Sequence, residues 1–122
     1  MAQPQTVKIN EVEYIRKDSI QTPATNTEGL QYVVIRADRA GVFAGYLVED
    51  KNEIVVLVDC RRIWYWKGAA SISQLAVDGV SKPDECKFPT PVGKIKIMGV
   101  VENINATEKS RESIEGVFVW QK

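Results

Sequence analysis

Two arginine-bearing stretches hold the residues best suited to recognising a ligand. "RADRAGVFAG" (residues 36–45) sets Arg36 and Arg39 beside Gly41 and Phe43, and "CRRIWYWKGAA" (residues 60–70) packs Arg61, Arg62, Trp64, Trp66 and Lys67 into one short segment. A guanidinium presents a planar fork of donors to phosphate or carboxylate, and a glycine lets a backbone amide approach an anion closely. An indole offers a flat face for a base, worth about 1–3 kcal/mol per stacked base. These residue types point to a small phosphate-containing ligand, with the arginines or Lys67 on phosphate, Gly41 easing its approach, and Phe43, Trp64 or Trp66 stacking. A structural reading stands beside the functional one. The first stretch also reads as a hairpin turn with solvated arginines, and the second as core indoles with arginines along a rim. Neither glycine spacing matches a phosphate loop or a dinucleotide fingerprint.

What the chain lacks narrows the chemistry. It contains no histidine, so a Ser-His-Asp or Cys-His arrangement is excluded, and a zinc site would have to use only cysteines and carboxylates. Cys60 and Cys86 stand far apart in the chain and have no histidine partner; they read as reduced thiols, Cys60 as a small buried hydrophobe. Asp38, Asp59 and Asp78 fall in turns and at element ends, and none is singled out as a base. The expectation is a binding protein without catalytic residues, metal or cofactor.

Sixteen basic residues balance sixteen acidic ones. General nucleic-acid binding, which draws on a basic excess, is therefore not expected, whereas a local arginine cluster can still hold a small anion. No apolar run approaches the roughly 18 residues of a membrane helix, and "MAQPQTVKIN" has no basic region followed by an apolar stretch. A cytoplasmic protein is expected.

The elements that must position these residues read as a single α+β domain over 1–122, compact and mainly antiparallel sheet, with one or two short helices. Residues 1–20 form an N-terminal arm or edge strand, 21–29 ("QTPATNTEG") a flexible connection, and 30–122 the main body. "QYVVIRA", "VFAGYLV" and "EIVVLVDC", separated by the turn formers "DRAG" and "EDKN", predict a three-strand meander. If the third strand runs on without a bulge, Ile54, Val56, Val58, Cys60, Arg62, Trp64 and Trp66 share one face and Asp59, Arg61, Ile63, Tyr65 and Lys67 the other. Ser71 with Gln74 predicts a capping box, Ile72, Leu75 and Ala76 an apolar stripe, and Gly79 a stop. "KIKIMGVVENI" predicts a strand with Ile95, Ile97 and Val101 inward and Lys94 and Lys96 outward. Thr107 to Gly116 predicts a polar surface helix, and "VFVW" a closing strand.

"GVFAGYL" together with "RRIWYWKGAASISQLAVDGVSKPDECKF" resembles a family of small phage-encoded proteins, in which a "VRTYSAGVHxGxL"-like stretch precedes "ARRIWYWxGAxSLSQLA". The resemblance covers about residues 31–102 and is most specific from Arg61 to Leu75. Asp38, Arg39 and Phe43 depart from the family's tyrosine, serine and histidine. In size, sheet-rich plan and arginine–aromatic clustering the chain is also similar in kind to phage anti-defence sponges of the Thoeris anti-defence type. Those proteins sequester cyclic ADP-ribose isomers or cyclic oligonucleotides without degrading them, commonly as homo-oligomers. The resemblance implies an immune-evasion protein in the infected host cell that sequesters such a signalling nucleotide. The alternative is an inhibitor that acts by direct contact with a host enzyme.

Overall fold

The computed structural model describes residues 6–9, 12–15 and 22–121. The remainder of the expected N-terminal arm lies outside the described residues; within it, β1 (Thr6–Ile9) and β2 (Val12–Ile15) pair as an antiparallel hairpin. The main body is built on β3 (Tyr32–Ala37), β4 (Gly41–Lys51), β5 (Ile54–Arg62), β6 (Val92–Met98) and β7 (Val100–Asn105), joined in one antiparallel sheet of order β6-β5-β4-β3-β7. The meander predicted from the β-branched runs forms as expected. The β4–β5 turn tightens to Asn52 and Glu53, both at positive φ (55° and 62°), the signature of a two-residue hairpin turn whose twist matches its strands.

β6 and β7 occupy opposite edges of this sheet, yet only Gly99 separates them in the chain. The sheet must therefore roll until its two edges meet at that residue. Gly99 sits at φ +76°; its carbonyl accepts from the Asp38 amide (2.8 Å), and the next amide, of Val100, donates to the Glu53 carbonyl (3.1 Å). Two register shifts along the β4–β5 pairing, one with the extra residue on β5 and one with it on β4, accommodate the bend. The rolled interior is filled by Val33, Ile35, Phe43, Val55, Leu57, Cys60 and Ile97. Because Gly99 breaks the alternation, Val100 packs against this interior while Val101 is 52% exposed, correcting the inward placement expected for Val101.

The outer face of β3 and β4, with Tyr32, Val34, Ala44 and Tyr46, is covered by α1 (Ile72–Asp78) and α2 (Glu108–Glu115) through Leu75, Ala76 and Ile114. The α1 cap forms with its return bond shifted by one residue: Ser71 Oγ accepts from the Gln74 amide (3.1 Å), and Gln74 Oε1 accepts from the Ala70 amide (2.7 Å) in place of the Ser71 amide of a capping box. The polar character of α2 has a specific use, since a stripe of its hydroxyls is spent on the end of α1. Thr107 Oγ1 donates to the Val77 carbonyl (2.6 Å), an acceptor that the helix end leaves open, Ser110 Oγ to the Leu75 carbonyl (2.7 Å), which also accepts from the Gly79 amide, and Ser113 Oγ to the Val80 carbonyl (3.2 Å) just past the helix.

Residues 22–29, read as a flexible connection, are hydrogen-bonded to the body: the Ala24 amide to the Ala106 carbonyl (3.2 Å), the Tyr32 amide to the Ala24 carbonyl (2.7 Å) and Arg111 Nη1 to the Thr25 carbonyl (2.8 Å). The closing strand expected at "VFVW" is reduced to one parallel bridge, Phe88 with Val119.

Gly99→Ala is expected to cost about 1–2 kcal/mol, since an L side chain is strained at this positive φ. Urea unfolding checks it: the midpoint falls while the slope stays unchanged.

Candidate functional site

The local event that arranges the candidate residues is a bulge in β5. Tyr46 pairs with Val58 but Ala44 with Arg61, so β5 carries one extra residue, and Asp59 adopts φ +52°, a conformation aspartate tolerates better than most. The face assignment expected for an unbulged strand is thereby corrected. Cys60 joins Val55 and Leu57 in the rolled interior, and Arg61 and Ile63 turn toward the helical layer.

Arg61 is 5% exposed and ties three carbonyls. Its Nη1 donates to Ile114 (3.1 Å) and to Val117, and its Nη2 to Phe88 (3.3 Å), with the guanidinium 5.2 Å from the Phe88 ring centroid. Ile114 and Val117 flank the C-terminus of α2, where orphan carbonyls favour a cation. Burial lowers the Arg61 pKa, with Tyr32 and Glu115 opposing. Its role is to hold the helix. A cleft of about 430 Å³ opens beside it, walled by Asp59, Pro91, Val92, Glu115 and Phe118.

Past Arg62 the chain leaves the sheet and runs beside two other extended segments. The Tyr65 amide donates to the Lys87 carbonyl (3.2 Å), the Lys87 amide returns to the Tyr65 carbonyl (2.7 Å), and the Trp120 amide donates to the Phe88 carbonyl (2.9 Å). This backbone frame sets Trp64, 60% exposed, in a stack against Trp120 with ring centroids 5.1 Å apart and planes 22° apart. Lys87 Nζ lies 5.4 Å from the Trp120 ring, 5.7 Å from Trp64 and 5.8 Å from Tyr65. Tyr65 is also exposed, so the frame gathers three aromatic side chains around one ammonium.

The other candidates disperse. Trp66 is half-buried against the helical core, its Nε1 donating to the Ala69 carbonyl (3.2 Å), which is the structural role rather than the stacking one. Lys67 pairs with Glu85 (3.4 Å). Arg36 pairs with Glu102 (2.7 Å), its cross-strand neighbour on β7. Phe43 is fully buried inside the rolled sheet and offers no free face for stacking. Arg62 lies over it, guanidinium 4.5 Å from the ring centroid, with Nη1 donating to the Ala40 carbonyl (2.8 Å). Arg39, Ala40, Phe43 and Arg62 line one groove with Ile95, Lys96, Ile97 and Met98, about 360 Å³ in volume. Gly41 stands at φ +105° with open space where a Cβ would project. The single arginine–indole concavity expected from sequence is therefore split: Arg39 and Arg62 share the groove, Trp64 belongs to the aromatic frame, and Arg36, Arg61, Trp66 and Lys67 are bound up elsewhere.

Residues 30–114 match the family described as a domain of unknown function, DUF6948. The chain belongs to that family. No curated protein and no solved structure shows a significant match to it. The DUF6948 match spans β3 through most of α2 and all nine candidate residues, whereas Trp120, the ring on which Trp64 stacks, lies beyond it. Lys87, Phe118 and Trp120 were outside the sequence expectation; the one available signal was that "VFVW" ends in a tryptophan. No helix among the described residues of this DUF6948 chain is long and apolar enough to cross a membrane.

Removing the Arg61 guanidinium leaves the Val117 carbonyl without its donor and empties a buried site, so Arg61→Ala is expected to destabilise the fold by about 3 kcal/mol or more, whereas Trp64→Ala stays within about 1 kcal/mol. Paired denaturant titrations check the contrast. Burial pushes the Cys60 thiol up to about 12 and also raises Cys86. Both thiols are thus expected to resist iodoacetamide at pH 8 in the native protein and to react in denaturant, as read by intact mass.

Proposed function

We propose that this protein acts by binding, engaging a protein partner through the face built from Trp64, Tyr65 and Trp120. In the infected-cell setting that the phage-family resemblance implies, the partner is a host enzyme. The observation that carries the reading is the exposed stack of Trp64 on Trp120. Covering the exposed part of an indole this size removes about 100–150 Å² of mostly apolar surface from water, roughly 3 kcal/mol. Leaving it bare has a cost that a surface residue ordinarily avoids.

Two further features favour a partner over an incidental patch. The rings are held on a backbone frame, so little ordering entropy is lost when they are covered. Trp64, Tyr65 and Trp120 also surround one cation, Lys87, and tryptophan and tyrosine at the centre of a patch are the residues that dominate interface energies. Phosphate capture draws its support from Arg39 and Arg62, on a different surface.

The test compares wild type, Trp64→Ala and Arg36→Ala as immobilised baits against host-cell extract, followed by titration of the purified partner. Trp64→Ala is expected to weaken the complex by about tenfold or more while Arg36→Ala matches wild type. A partner bound equally by all three, or a footprint away from Lys87 in cross-linking, would overturn the reading. If Trp64→Ala instead converts a dimer to a monomer in sedimentation, the face closes on a second copy of the chain.

A further inference from the structure

The groove beside the β3–β4 turn has a charge composition unlike that of the chain. Its lining holds three cations, Arg39, Arg62 and Lys96, and no carboxylate, in a protein whose formal net charge is zero. Among the described residues no ion pair neutralises any of the three, in contrast to Arg36, Lys67, Lys109 and Arg111, each of which has a carboxylate partner. Lys96 sits on the outer edge strand, where lysine can serve simply to discourage pairing with another sheet. That explanation does not reach Arg39 or Arg62, which come from the opposite wall.

Arg62 is already arranged for recognition. One edge of its guanidinium is held by the Ala40 carbonyl at 2.8 Å and its plane is supported by the Phe43 ring at 4.5 Å. A guanidinium fixed in this way loses little freedom when its remaining donors meet an oxyanion, and the planar fork suits phosphate. The same groove supplies apolar surface from Ile95 and the exposed Met98. At about 360 Å³ it falls at the small end of ligand sites, near the size of a mononucleotide.

From these observations we infer that the Arg39–Arg62–Lys96 groove binds a small phosphate ester, with phosphate between the cations and an organic group against Ile95 and Met98. The site is independent of the aromatic face, so the failure of either assignment leaves the other standing. It retains Arg39 and Arg62 from the sequence expectation, adds Lys96, and replaces ring stacking with contact on an aliphatic wall.

Adenosine 5′-monophosphate, inorganic phosphate and adenosine serve as probes in calorimetric titrations of the full chain, with amide shifts at Ala40 and Gly41 followed in parallel. The monophosphate is expected to bind saturably at one site and to shift those amides, phosphate alone to compete more weakly, and adenosine to bind least. Arg62→Gln is expected to weaken monophosphate binding by about tenfold, Lys96→Gln and Arg39→Gln by several-fold each, and Arg36→Gln not at all. Since Arg62 also packs on Phe43, the exposed Arg39 and Lys96 variants keep the test sound if Arg62→Gln unfolds. Absence of saturable binding at millimolar monophosphate, retention of full affinity in the Arg39 and Lys96 variants, or shifts centred on Lys87 would each overturn the assignment.

Discussion

The buried guanidinium of Arg61 is the contact on which the helical layer depends. A cation that makes hydrogen bonds to carbonyls of Ile114, Val117 and Phe88 joins β5, the end of α2 and the segment that leads toward β6. Burying a charge is expensive unless its donors are used; here both Nη groups find carbonyl acceptors, two of them at a helix C-terminus where the potential is favourable, while Nε is buried without a partner. Without the bulge at Asp59 the side chain would point into the apolar interior of the rolled sheet, where no such acceptors exist. The bulge therefore does three things through one backbone change. It sends Arg61 to the helices, sets Arg62 at the mouth of the rolled sheet, and determines the point from which Trp64 leaves the strand.

Much of the fold was legible because its determinants are local. β-branched runs separated by turn formers specified the meander, and Ser71, Gln74 and Gly79 specified α1, because capping and turn chemistry act within a few residues. The expectations that failed were those that required counting across an irregularity. The parity of residues 59–66 depended on a bulge that no residue announces unambiguously, and the placement of Val101 depended on Gly99 resetting the alternation. Closure of the sheet was not legible at all, because it depends on which edges two adjacent strands choose.

The candidate site was legible in kind but not in arrangement. Trp64 and Trp66 share a residue type and a neighbourhood, yet one is displayed and the other packed, because Trp66 finds an acceptor in the Ala69 carbonyl and a place against the helical core. The residues that complete each surface come from far along the chain: Lys87 and Trp120 for the aromatic frame, Lys96 and Met98 for the groove. Whole-chain neutrality concealed a division of labour between an aromatic face with one ammonium and a groove with three cations. Composition sums over the surface, whereas a ligand meets only part of it.

The one-residue connection at Gly99 makes the β5–β6 and β3–β7 seams of the sheet a single mechanical unit. A shift of β6 by one position against β5 would drag β7 by the same step against β3, turning buried side chains outward along both borders at once. Lengthening or shortening residues 92–105 by even one amino acid therefore has no local remedy. Tolerance for insertion should instead lie in exposed turns that border neither seam, such as residues 82–84.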